Sequence, residues 1–172
     1  MMKKNLKTPR LELREITDAD SERLIDLFTD ETVKQTYMLP DFESREDAVR
    51  LFCRIRDLSR AVDRYVFAIV LDGNPIGLIN DTEISERSIE VGYALLPCYH
   101  NQGLATEALQ AMISYLFDVG FEEVTAGAFE ENFASKRVMQ KCGMKPISQT
   151  DQIDYRGKTH LCVYYAIRRA TS

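Results

Sequence analysis

Between an alternating apolar stretch and a long apolar-periodic one, the chain reads Tyr99-His100-Asn101-Gln102-Gly103-Leu104-Ala105-Thr106. Small residues opening a helix leave backbone N–H groups unpaired at the positive end of its dipole, which makes a seat for phosphate. The same run also fits a tight strand-to-helix turn without a ligand. It lacks the second and third glycines of a dinucleotide-binding loop, and it does not follow the first strand. Glu90 lies in the strand pattern leading into the turn, where a carboxylate can serve as a base or face solvent. Asn132 and Ser135 open a later helix pattern, where each can hold a ligand or cap the helix. Cys98 adjoins the turn, but no histidine–carboxylate set is assembled around it, so it reads as an unreactive thiol.

These side chains need elements to hold them. Leu11-Glu12-Leu13-Arg14 alternates as a first strand. Thr17-Asp18-Ala19-Asp20 is an acidic capping box opening a helix with Leu24, Ile25, Leu27 and Phe28, and Ser44-Arg45-Glu46-Asp47 repeats the signal before Ala48, Leu51, Phe52, Ile55 and Leu58. Between the two helices, Tyr37 to Phe42 is an apolar loop. Tyr65–Leu71 and Ile76–Ile79 are strands around the turn Asp72-Gly73-Asn74-Pro75, and Ile89–Leu95 is a further strand. A helix from Leu104 to Leu116 stops at Gly120. Val124–Phe129 is a strand, Ala134–Cys142 a helix ended by Gly143, and a final strand pair starts at Ile147 and turns at Tyr155-Arg156-Gly157-Lys158. The order is β-α-α-β-β-β-α-β-α-β-β, an α/β (α+β) fold with a mixed, mostly antiparallel sheet and helices on both faces.

Three segments together resemble the GCN5-related N-acetyltransferase (GNAT) family, within it the branch of ribosomal-protein N-terminal acetyltransferases. They are Thr8-Pro9-Arg10-Leu11-Glu12-Leu13-Arg14, the run from Ile89 to Ala108, and Asn132 to Met144. The likeness covers nearly the full chain and implies one N-acetyltransferase domain over 1–172. It implies acetyl-CoA as co-substrate, with the pyrophosphate on His100, Asn101, Gln102, Gly103, Leu104, Ala105 and Thr106. The family loop runs Gln/Arg-x-x-Gly-x-Gly/Ala. Here His100 departs from it, while Gly103 and Ala105 match. The resemblance assigns the pantetheine arm to the main chain of Leu95, Leu96 and Pro97, and a cofactor hydrogen bond to Asn132.

Many members carry a tyrosine seven residues after that asparagine to protonate the leaving thiolate; this chain has Met139 there. Ser135 stands where the N-terminal acetyltransferase branch uses a serine. A thiol with a pKa near 8.5 leaves readily, so orientation of the acid matters more than its strength. Glu90 is the expected base, acting directly or through water, and Tyr37 and Phe42 are the expected acceptor wall, with packing onto the sheet as the rival role. The resemblance implies a primary amine as the expected acceptor, either a protein N-terminus or a small amine, attacking directly rather than through a covalent enzyme intermediate. Two alternatives stay open: a non-catalytic acyl-CoA sensor, and a polyamine or aminoglycoside acetyltransferase.

Composition bounds the rest. With 172 residues, 45% hydrophobic and 28% charged, the chain can bury a substantial core. A net charge of −5 argues against a nucleic-acid partner. The four cysteines and two histidines show no metal-ligand spacing, so no metal is expected and the thiols read as free in a reducing compartment. Met1–Lys7 is basic without the apolar core of a signal peptide, and no apolar run reaches membrane-span length, so a cytoplasmic protein without a membrane partner is expected. A homodimer is a family-level expectation.

Overall fold

The computed structural model describes residues 5–171, so most of the basic N-terminal run, Met1–Lys4, lies outside the described residues. Strands β1 (Leu6–Lys7) and β2 (Leu11–Arg14) are followed by helices α1 (Ser21–Thr29), α2 (Glu31–Lys34) and α3 (Arg45–Arg60). Next come β3 (Val66–Leu71), β4 (Asn74–Ile84), β5 (Ser88–Leu95), α4 (Leu104–Asp118) and β6 (Glu123–Phe129). Helix α5 (Phe133–Lys141), β7 (Lys145–Tyr155) and β8 (Lys158–Arg168) complete the chain. The eight strands form one sheet in the order β1-β2-β3-β4-β5-β6-β8-β7. Every pairing is antiparallel except β5 with β6.

The expected order holds, with two additions and shifted ends. β1 and α2 are too short to show a period in the sequence. β4 is much longer than Ile76–Ile79, because it pairs beyond its alternating part as far as Ile84. Its Pro75 faces Val70 beside a bulge, where a missing N–H is tolerated. The capping boxes act as read: Thr17 and Asp20 bond reciprocally, and the Ser44 side chain accepts from the Asp47 N–H.

Helices cover both sheet faces because the central strands are apolar on both sides. Along β3, Phe67 and Ile69 point to one face, where they join Ile89, Val91, Leu109 and Met112 under α4. Val66, Ala68 and Val70 point to the other and meet Leu24, Phe28 and Phe52 from α1 and α3. β7 is one of the two edge strands and is exposed along most of its length. Among the described residues, no helix is long and apolar enough to cross a membrane.

Candidate active site

Among the described residues, the only parallel strand pair is also the one that opens. β5 and β6 are in register from Ser88–Glu123 to Val91–Ala126, and no pairing between them continues beyond. Past that point β5 stays on β4 as far as Leu95, while β6 stays on β8 as far as Phe129. The strands therefore part, and the β6-facing edge of Gly92–Leu95 has no strand partner. A cleft of about 490 Å³ occupies the gap, bounded by Gly92–Leu95, the start of α4, α5 and Tyr37.

Helix α4 begins against this cleft without a side-chain cap. Its N-cap is Gly103 at φ 75°, a left-handed conformation glycine adopts without penalty, and Asn101 is also left-handed at φ 59°. The first N–H groups of the helix thus remain available as anion donors. His100 turns its Nε2 to the Leu95 carbonyl at 2.8 Å, so that nitrogen carries the hydrogen, because a carbonyl can only accept.

The turn is strapped from far away in the sequence. Arg10 donates from Nη1 to the Gln102 carbonyl at 2.8 Å and from Nε to Glu107 at 2.7 Å. The Arg10 backbone N–H and the Thr8 hydroxyl also reach Glu107. Partial burial works to raise the Glu107 pKa, but the Thr8 and Arg10 contacts outweigh it and hold the carboxyl below its usual range. The Thr8–Arg14 segment therefore supports the turn at Gly103 without lining the cleft.

On the opposite wall, the Asn132 side chain accepts from the Ser135 N–H at 3.1 Å and caps α5. Ser135 Oγ lies 2.8 Å from the Tyr93 hydroxyl, and both residues line the cleft. Burial pushes the Tyr93 phenol up to about 12, against a smaller opposing effect of the Ser135 contact. Met139 is fully buried beneath α5 and faces the core. Cys142 Sγ touches the Thr106 carbonyl at 3.5 Å and ties the two cleft helices together, and burial raises its pKa to about 11. That thiol stays protonated at neutral pH and is a poor nucleophile.

The other face of β5 differs. Ile89 and Val91 lie under α4, so Glu90 projects to the opposite side and accepts from the Thr82 hydroxyl. Gly92 projects the same way, toward Thr82, Tyr37 and Asn80. Tyr37 donates to Asn80 Oδ1 at 2.7 Å, and burial raises its pKa. The loop carrying Tyr37 is pinned by the tip of the β7–β8 hairpin, whose turn has Arg156 at φ 52° and Gly157 at φ 77°. The Tyr155 hydroxyl donates to the Lys34 carbonyl at 2.7 Å and accepts from the Leu39 N–H at 3.1 Å. Arg156 reaches Glu31 at 2.7 Å and Asp41 at 3.5 Å.

Of the residues singled out in the sequence, Tyr37, Leu95, His100, Asn101, Gly103, Leu104, Ala105, Thr106, Asn132 and Ser135 come together around the cleft. Five others lie outside its wall. Leu96 gives its N–H to the Ile76 carbonyl and packs toward α1 and α3, and Pro97 has no N–H to offer and turns its carbonyl to the His100 N–H. Gln102 bonds the Cys98 carbonyl. Phe42 sits under the Lys34 ammonium, 5.0 Å from ring centre to nitrogen, in the α1–α3 core. Glu90 stands at the seam before the strands part. Sequence reasoning assigned no role to Tyr93, Asn80 or Tyr155. Only Tyr93 carried a usable signal, since strand alternation puts it on the face opposite Glu90.

A sheet opened beside a glycine-started helix leaves a cleft with free backbone donors, and the comparisons with known proteins place the chain in a family. Residues 10–145 match the acetyltransferase (GNAT) domain, and the chain belongs to that family of N-acetyltransferases. It is 30% identical to the N-acetyltransferase YoaA of Bacillus subtilis (strain 168) over 160 residues, which is 90% of each chain. A GNAT-family acetyltransferase structure from Bacillus anthracis superposes with a TM-score of 0.82 at 26% identity, covering 96% of this chain and 98% of that one. The ribosomal L7/L12 α-N-protein acetyltransferase RimL, solved in complex with coenzyme A, shares the fold with a TM-score of 0.85 at 19% identity, again covering 96% and 98%.

Proposed function

We propose that this acetyltransferase moves the acetyl group of acetyl-CoA to a primary amine by direct attack, with a protein N-terminus as the favoured acceptor. The observation that carries the reading is the cleft, in which an unpaired strand edge, an uncapped helix start and a hydroxyl pair meet. The residues present fit the thioester. The free edge of Gly92–Leu95 suits the amides of a pantetheine arm, and the N–H groups at Gly103–Thr106 suit a pyrophosphate. Bound there, acetyl-CoA supplies an activated acyl carbon and a leaving thiol.

The chain's own groups then divide the work. Glu90, on the Tyr37 side of β5, takes the amine proton through water, while Ser135, on the α5 side, hydrogen-bonds the departing sulfur. An α-amine with a pKa of about 7.7–8.0 asks less of a base than a lysine near 10.4, which favours N-termini. RimL, which acts on a protein N-terminus, supports the same preference. The test is thiol release from acetyl-CoA with a panel of N-terminal peptides, lysine peptides, polyamines and aminoglycosides. Release with N-terminal peptides is expected. Tight CoA binding with no release from any amine identifies a sensor instead, and release confined to polyamines or aminoglycosides overturns the acceptor.

A further inference from the structure

We infer that Tyr93 is a positioning residue: its hydroxyl fixes the Ser135 hydroxyl so that the serine hydrogen is aimed into the cleft at the departing sulfur. The inference rests on the transferase reading above and adds to it a residue to which neither the sequence motifs nor the comparisons give a role.

The geometry leaves few arrangements. Tyr93 Oη is 2.8 Å from Ser135 Oγ and 3.2 Å from the Ser135 carbonyl. A serine hydroxyl has one hydrogen and two lone pairs, and a phenol has one hydrogen. If Tyr93 donates along the shorter contact, Ser135 accepts from the strand side and keeps its own hydrogen for the cleft. The Ser135 carbonyl, which can only accept, then takes the weaker branch of a three-centre bond from the same phenol hydrogen. If Tyr93 gave that hydrogen to the carbonyl alone, Ser135 would have to donate to Tyr93 and its hydrogen would be spent inside the wall. The second fixed point is the backbone, because the Ser135 N–H is held by Asn132 Oδ1 at 3.1 Å. Ser135 is therefore anchored from two directions, its hydroxyl from β5 and its backbone from the α5 cap.

Tyr93 is an unfavourable proton source in its own right. Its pKa of about 12 lies well above the 8.5 or so of a thiol, so full transfer to the thiolate is uphill. The phenol stays neutral and remains a donor at neutral pH. As the N–C bond forms and the C–S bond breaks, the electron pair leaves on sulfur. Ser135 stabilises that charge by a hydrogen bond, and the proton lost by the amine neutralises it through solvent. Met139 explains why the burden falls on this pair: the side chain at the position of the family's tyrosine is buried in the core and faces away.

The test is a double-mutant cycle on Tyr93→Phe and Ser135→Ala, read as kcat and KM for acetyl-CoA with one peptide acceptor, with CoA affinity measured by calorimetry. Tyr93→Phe is expected to lower kcat about tenfold, the scale of one hydrogen bond lost from the transition state. KM and CoA affinity should not move. In the Ser135→Ala background the same change should cost nothing further, because Tyr93 acts only through that serine. Equal losses in both backgrounds, or a loss carried by KM, overturn the role of Tyr93 and leave the transferase reading intact. Absence of thiol release from the unmodified enzyme with every acceptor overturns both. Tyr93→His, which can restore a donor, should recover part of kcat; a packing role would predict no recovery.

Discussion

The two sides of β5 are built in opposite ways. On the α4 and α5 side, the cleft is made from main chain, namely a strand edge, a glycine-capped helix start and a helix cap, each encoded within a dozen residues. On the Tyr37 side, the wall is a loop held by side chains from more than a hundred residues away, chiefly Tyr155 and Arg156. Backbone recognition suits a ligand that never changes. Side-chain recognition can be altered by single substitutions, so on the proposed reading the Tyr37 side can change acceptor without losing the thioester.

The contrast can be broken most sharply at Gly103. Gly103→Val forces a β-branched residue to a positive φ, and its Cβ would stand 3.4 Å from Arg10 Nη2. CoA affinity measured by calorimetry should fall about a hundredfold, about 2.7 kcal/mol of strain and lost phosphate contact. Retained affinity would mean that the helix start is not the phosphate seat. Ser135→Ala should come next, with kcat reduced about thirtyfold while CoA still binds as before. An unchanged rate removes Ser135 from the chemistry.

The acceptor side should respond differently. Tyr155→Phe frees the loop from a hydroxyl bonded to Lys34 and Leu39, at a cost of about 1–2 kcal/mol. The acceptor KM should rise roughly fivefold with CoA affinity untouched, and a fall in CoA affinity instead would erase the division between the two sides. Glu107→Gln should have the smallest effect, about a twofold loss of CoA affinity, the scale of one partly exposed ion pair. Its signature is in pH. The folded-state pKa of Glu107 is depressed, so its contribution to stability is present above the unfolded value and is lost as pH falls through the folded one. Melting temperatures of the wild-type and Glu107→Gln proteins should therefore differ at neutral pH and converge in acid.

The same contrast explains how much the sequence disclosed. Capping boxes, the glycine at 103 and the apolar alternation of β3 and β5 are local signals, and they yielded the fold order and the main-chain side of the cleft. The strap of Arg10 on Gln102 and Glu107 was not legible, because nearly a hundred residues separate its ends, and Thr8–Arg14 stood out only as resembling the opening of the family. Phe42 and Tyr37 looked equivalent as apolar loop residues, yet one packs beneath Lys34 and the other borders the cleft. Nothing local distinguishes them, because the difference is set by the distant hairpin tip. Leu96 was misleading for a related reason: strand neighbours alternate the direction of their N–H groups, and that of Leu96 points to β4.

The parting of β5 and β6 has one more consequence. An unpaired strand edge inside a sheet is ordinarily a hazard, since it can template pairing with a foreign chain. Here α4 and α5 stand over it, so access is limited to something as slender as a single extended arm. The same steric rule that admits a narrow ligand also protects the protein from aggregating through its own active site.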